Sequence, residues 1–278
     1  MLRATTFPGG ITATVADVPG GGGGPRLLLI HGMFGGAWQF EEWQERLARM
    51  GHSSVAIGLR AHRGGRGGAD GANASLRDYV DDALVVAREM GRPTVIGHSM
   101  GGLIAQKLAE EDTVSAAVLI CSAPPRWISA LSGRLLSHML KYTPELLLAR
   151  PIVAARADAD ALFLNHVPLA ERDRIFQRLV PESGRVAREL ALGALAVDAR
   201  RVSCPILSMG AGGDRFLPPR IARAIAKKYG SEHREYAAHG HYIVGEPGWE
   251  QVADDAMGWL AARRRSFTPR TSPPTRPR

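Results

Sequence analysis

Gly97-His98-Ser99-Met100-Gly101-Gly102 follows a short apolar run at 94–96 and opens a stretch of helical spacing at 103–110. A serine at so sharp a passage from strand to helix takes a strained backbone, and the small neighbours Gly97 and Gly101 give the chain room for it. Its hydroxyl is then exposed at the tip of the turn. The helix behind it offers free N–H groups and the positive end of a dipole, both suited to stabilising an oxyanion. A lone pentapeptide of this kind arises by chance, and a structural turn is its ordinary reading; the strand–turn–helix setting argues for a nucleophile at Ser99.

Outward from this turn, short apolar runs alternate with longer helical patterns, the mark of a largely parallel sheet covered by helices. Strands are expected at 11–18, 26–31, 54–59, 94–97, 116–120, 206–211 and 233–236, and helices at 41–50, 76–90, from about 100, and from about 249 to 263. The glycine run 20–24 reads as a turn between the first two strands. Between 124 and 199 the strand signal gives way to Leu, Ala and Arg at three- and four-residue spacing, broken by Pro144, Pro151, Pro168 and Pro181. The expectation is an α/β fold with a mostly parallel central sheet flanked by helices. Its core comprises 1–123 and 200–263, and a helical lid inserted at 124–199 stands over the carboxyl edge of the strands, where open sheets of this kind bind ligands.

Three more segments carry chemistry. His31-Gly32-Met33-Phe34-Gly35-Gly36 closes an apolar strand with a turn able to aim backbone N–H groups at a point above Ser99, and the amides of Met33 and Met100 are the candidate oxyanion hole. His31, closing a strand, reads as a structural hydrogen-bonding residue. Asp214, in Gly210-Ala211-Gly212-Gly213-Asp214-Arg215-Phe216, ends a strand beyond the insertion and is the candidate to orient a histidine; a turn aspartate bonded to local N–H groups is the plainer alternative. Ala238-His239-Gly240-His241-Tyr242 offers two histidines, of which His241 is the preferred general base and His239 the competitor. Nucleophile, then acid, then base is the chain order of one fold in particular.

Taken together these residues resemble the α/β-hydrolase superfamily, in the group with a Gly-His-Ser-Met-Gly-Gly elbow and a helical lid, over about residues 11–263. The resemblance implies that Gly240-His241 ahead of Glu246-Pro247 supplies the base. It also implies a loop like Leu59-Arg60-Ala61-His62-Arg63-Gly64-Gly65, where Ala61 and Arg63 depart from the family's arginine-glycine-histidine-glycine pattern. His-Gly-Met-Phe-Gly-Gly-Ala-Trp at 31–38 is similar to the entry loop of esterases and hydroxynitrile lyases with small substrates. Carboxylic-ester hydrolysis through an acyl-enzyme on Ser99, without a cofactor, is therefore the expected activity. A carbon–carbon bond hydrolase, a lactonase or a cofactor-free haloperoxidase would use the same triad, and a receptor-like binding protein would keep the fold. Phe34, Trp38, Trp127, Met139 and Phe163 are the candidate pocket residues; Trp43, on a helix face with Leu47, reads as packing.

Composition sets the outer limits. In 278 residues, 45% are apolar and 22% charged, ordinary values for a globular chain. No apolar run, that at 27–30 included, is long enough to span a bilayer, and residues 1–8 lack the pattern of a secretory signal, so a cytoplasmic enzyme is the expectation. Cys121 and Cys204 sit beside apolar strands and read as core residues, with neither a disulfide nor a metal site expected. Part of the net charge of +8 lies in a Pro-rich basic tail at 264–278, expected to be disordered and solvated rather than bound to nucleic acid. Arg126, Arg134, Arg150, Arg156 and Arg172 read as a solvated face of the lid. The partner expected is a small-molecule ester, with the oligomeric state left open.

Overall fold

The computed structural model describes residues 1–18, 20, 24–65, 73–130 and 132–267, apart from the side chains of 63–65 and 264–267. The chain begins with β1 (Leu2–Phe7), β2 (Ile11–Ala16), β3 (Leu27–Ile30), α1 (Glu41–Arg49), β4 (Ser54–Ile57) and α2 (Leu76–Glu89). It continues with β5 (Thr94–His98), α3 (Met100–Glu110) and β6 (Ala116–Ile120). The helices α4 (Gly133–Met139), α5 (Thr143–Leu148), α6 (Arg156–Asp158), α7 (Leu169–Phe176) and α8 (Gly184–Ala191) come before β7 (Ile206–Ala211), α9 (Pro219–Tyr229), β8 (Glu232–Tyr236) and α10 (Trp249–Phe267). The eight strands form one sheet in the order β1-β2-β4-β3-β5-β6-β7-β8. The pairs β1/β2 and β2/β4 are antiparallel and every other pair is parallel.

Successive side chains of a strand point to opposite faces, and β3 shows what that does here. Leu28 and Ile30 join the core under α2, α3 and α9, while Leu27 and Leu29 join the core under α1 and α10. All four are fully buried, and burial of each such side chain contributes about 1.5–3 kcal/mol. A strand covered on both faces reads as an unbroken apolar run, which is why β3 is legible in sequence. By the same logic β1 is not: its residues are only exposed or half-buried, and no apolar run marks it. The reading of 11–18 as the first strand is corrected accordingly.

The helices between β6 and β7 are tied to α2 by buried polar contacts. The Tyr79 hydroxyl donates to Glu182 at 2.8 Å, the Ser183 hydroxyl to the Ala74 carbonyl at 2.6 Å, and the Leu76 amide to Glu189 at 2.8 Å. Burial, then the neighbouring Glu182 carboxylate, push the Tyr79 phenol far above its usual range. His62, in the loop where the sequence departs from the family pattern, is buried between the rings of His31 and Tyr79, with Nε2 3.3 Å from Glu182. A further tie runs to the loop after β3, where the Val180 amide donates to the Phe34 carbonyl at 2.9 Å.

The last helix continues to Phe267, so the backbone at 264–267 is helical where a disordered tail was expected to have begun; the rest of that tail lies outside the described residues. Among the described residues no helix is long and apolar enough to cross a membrane.

Candidate active site

Ser99 sits between β5 and α3 with φ 54° and ψ −119°, a conformation that costs on the order of 1–3 kcal/mol and persists only where its surroundings enforce it. The surroundings are specific. The Ser99 amide donates to the Ile120 carbonyl, and the Ser99 carbonyl accepts from the amides of Ala123 and Gly102, each at 2.9 Å. A Cβ on Gly97 would lie 2.2 Å from the Gly101 carbonyl oxygen, and one on Gly101 would lie 2.1 Å from that of Ile30. Only glycine lets the turn close this tightly.

Ser99, Asp214 and His241 are distant in sequence and meet here. His241 Nε2 lies 2.9 Å from the Ser99 hydroxyl, and His241 Nδ1 lies 2.7 Å from Asp214 Oδ2. The other Asp214 oxygen accepts from the amides of Phe216 at 2.9 Å and Leu217 at 2.7 Å, fixing the carboxylate's orientation. All three side chains are buried. The competitor His239 turns away, with Nδ1 3.3 Å from Glu246, whose other contact is the Gly240 amide at 2.7 Å. Glu246 thus holds the backbone just before His241.

Two further histidines support the turn. Leu59 donates its amide to His31 Nε2 at 3.3 Å, so the proton must sit on Nδ1, which bonds the Gly32 carbonyl at 2.8 Å. His31 is therefore neutral, and burial, then the nearby His62, hold its pKa well below the ordinary value. His98 bonds the His241 carbonyl at 2.8 Å, and burial, followed by His241 beside it, lowers its pKa to about 3.

These shifts fix the sign of a pH effect. A histidine whose folded pKa is depressed contributes full stability above its unfolded pKa near 6.5, and loses it as pH falls toward the folded value. Urea midpoints are therefore expected to drop below pH 6.5, with a slope approaching about 1.4 kcal/mol per pH unit for each of the two histidines. Midpoints unchanged between pH 7 and pH 5 would contradict the neutral assignment.

The loop after β3 lies directly against the serine: a Cβ on Gly32 would be 2.9 Å from Ser99 Cβ. Neither the Met33 nor the Met100 amide has a hydrogen-bond acceptor among the described residues, and both residues line the same cavity as Ser99. That cavity, of about 220 Å³, runs between the sheet edge and the inserted helices. Phe34, Met139 and Phe163 line it as expected, together with Leu146, Ile152 and Phe216, which the sequence did not single out. Phe216 follows Asp214 by two residues and places its ring 5.1 Å from that of His241, so the acidic turn itself carries the signal.

Two expected pocket residues are corrected. Trp127 is 90% exposed and lines no part of the cavity. Trp38 faces an outer groove instead, where the Arg178 guanidinium lies 4.7 Å from its ring centre. Trp43 is buried and donates its indole N–H to the Val244 carbonyl at 2.8 Å, tying α1 to the segment after His241.

A smaller space of about 20 Å³ also touches Ser99, lined among others by Gly32, Gln39, His98, His241 and Tyr242. Cys121 completes the neighbourhood: candidate ligand atoms of Cys121, Asp214 and His241 lie within 4.8 Å of one another. Burial, then the Asp214 charge, push the Cys121 thiol well above its ordinary pKa.

A strained serine bonded to a buried histidine–carboxylate pair, on a parallel sheet with antiparallel strands at one edge, defines a recognisable class. Residues 27–255 match the model of the alpha/beta hydrolase family, and the chain belongs to that family. Among curated proteins it is similar to a probable esterase, PIR7A, of Oryza sativa, with 27% identity over 176 residues. That match covers 60% of this chain and 66%, just under two thirds, of the relative. Among solved structures it is similar to a thermophilic esterase from Thermogutta terrifontis, with a TM-score of 0.69, 19% identity, and 94% and 98% of the two chains covered. A monoacylglycerol lipase from Paleococcus ferrophilus gives a TM-score of 0.68 at 20% identity, covering 94% and 99%. At such identities the two structures speak to the fold.

Proposed function

We propose that this protein is a serine hydrolase of uncharged carboxylic esters, working through an acyl-enzyme on Ser99. The observation that carries the reading is the continuous contact from Asp214 through His241 to Ser99 at the mouth of an apolar cavity. His241 takes the serine proton as the oxygen attacks the acyl carbon, and the amides of Met33 and Met100 hold the negative oxygen that develops. The protonated His241 then gives its proton to the departing alcohol, and a water activated by the same imidazole releases the acid. Asp214 keeps Nδ1 protonated throughout.

Each half of the ester has its own place. The leaving oxygen must approach His241, which lines the small space and not the large cavity. The alcohol is therefore the small half, and the acyl chain fills the cavity beneath the inserted helices, which act as a lid. An apolar lining disfavours charged acyl groups, because burying an unpaired charge is costly.

The test is a series of methyl esters from acetate to decanoate followed by proton release, with fluorophosphonate labelling in parallel. Turnover is expected to rise with chain length, each buried methylene adding about 0.8 kcal/mol, or roughly fourfold in kcat/KM, until the cavity is full. Label is expected at Ser99. A protein inert on every ester and unlabelled at Ser99 is not a serine esterase.

A further inference from the structure

The cavity wall is apolar almost throughout, yet one lid element brings a histidine into it. His138, on α4, and Asp158, at the end of α6, both line the cavity. His138 Nδ1 lies 2.8 Å from Asp158 Oδ1, while Asp158 Oδ2 receives the Tyr142 hydroxyl at 2.5 Å and the Lys141 ammonium at 2.6 Å. Burial works to raise the Asp158 pKa, but its bonds from Lys141, Tyr142 and His138 outweigh it and hold the carboxyl below its ordinary value. Asp158 is thus a fixed carboxylate and His138 carries its proton on Nδ1.

The other polar side chains of the wall are already engaged. The Tyr142 hydroxyl also accepts the Ala155 amide at 2.9 Å, the Thr143 hydroxyl donates to the Leu140 carbonyl at 2.6 Å, and the Ser99 hydroxyl is bonded to His241. Among the described residues His138 Nε2 has no partner. In its neutral form, with the proton on Nδ1, His138 presents Nε2 as an acceptor, so the group that completes that form is a donor.

We propose that His138, held by Asp158, is a specificity-determining residue that accepts a hydrogen bond from a hydroxyl on the acyl chain, making hydroxyacyl esters the favoured substrates. This rests on the acyl chain occupying the large cavity. A keto oxygen offers no proton to Nε2, and a plain alkyl chain leaves Nε2 unpaired. A site that bonds a substrate hydroxyl discriminates against the analogue that lacks it, here in proportion to how far the bound chain keeps water from His138, whose side chain is 30% exposed.

The experiment compares methyl esters of one chain length carrying a hydroxyl at successive carbons, a keto group, or neither, in wild type, His138→Phe and His138→Gln. At the carbon that reaches His138, wild type is expected to prefer the hydroxyacyl ester over the plain one by about tenfold or more in kcat/KM. His138→Phe is expected to lose or reverse that ratio while still hydrolysing the plain ester, and His138→Gln, which retains an acceptor, to restore part of it. Ratios equal in wild type and His138→Phe at every hydroxyl position overturn the proposal, as does a preference for the keto ester. Calorimetric binding of the same esters to Ser99→Ala separates the two readings. Tighter binding of the hydroxyacyl ester that depends on His138 supports the subsite even where no ester is turned over; equal binding rejects it.

Discussion

Replacing His241 with alanine is expected to lower ester hydrolysis by roughly 10⁴- to 10⁶-fold, and adding Ser99→Ala to cost almost nothing more, because the two side chains act as one unit. Purified single and double variants assayed on one ester, with melting curves to show that each is folded, give the measurement. Multiplicative losses would mean that the two residues work independently, contrary to their 2.9 Å contact. Asp214→Asn should fall by roughly 10⁴-fold for a different reason. One Asp214 oxygen is held by two backbone amides and the other faces His241. An asparagine oxygen can satisfy only one side. If it remains with the amides, its NH₂ faces Nδ1, the imidazole proton moves to Nε2, and the histidine can no longer take the serine proton.

The second large effect concerns residues that touch no substrate. Gly101→Ala would set a methyl 2.1 Å from the Ile30 carbonyl oxygen and 2.6 Å from that of His31, with backbone and not a flexible side chain in the way. Ordinary overpacking costs about 1–3 kcal/mol, and a collision with the central sheet should exceed that. The variant is expected to lose fluorophosphonate labelling and to melt well below wild type. Gly133→Ala is the matched control, since nothing lies within 4 Å of the added methyl at the start of α4. It should label normally and melt at or slightly above the wild-type temperature. A Gly101→Ala protein that labels at the wild-type rate would mean the turn is looser than its geometry.

Most of the sheet, and the turn at which Ser99, Asp214 and His241 meet, could be read from sequence because each depends on local patterns. Strands buried on both faces spell unbroken apolar runs, and the Ser99 turn needs small residues at fixed positions. What failed depends on direction. Trp38 and Trp127 flank segments that matter, but ring size says nothing about where a ring points: Trp127 has φ 78° and faces solvent, and Trp38 is covered by Arg178, from far along the chain. The His138–Asp158 pair was equally invisible. The two stand twenty positions apart in the inserted helices, with turns between them, and nothing in the spacing brings their side chains together.

The hydrogen bond from Val180 to the Phe34 carbonyl has one more consequence. It joins the inserted segment to the loop in which the neighbouring Met33 amide is proposed to hold the developing oxyanion. On the proposed function, with the inserted helices as a lid, an acyl group too bulky for the cavity would lift those helices, and the lifting would pull on Phe34, itself at φ 61°. Such a substrate could still dock, but it would meet the proposed oxyanion site drawn out of position. Size would then be judged mainly at the transition state, and oversized esters would be slow substrates and competitive inhibitors rather than molecules the protein ignores.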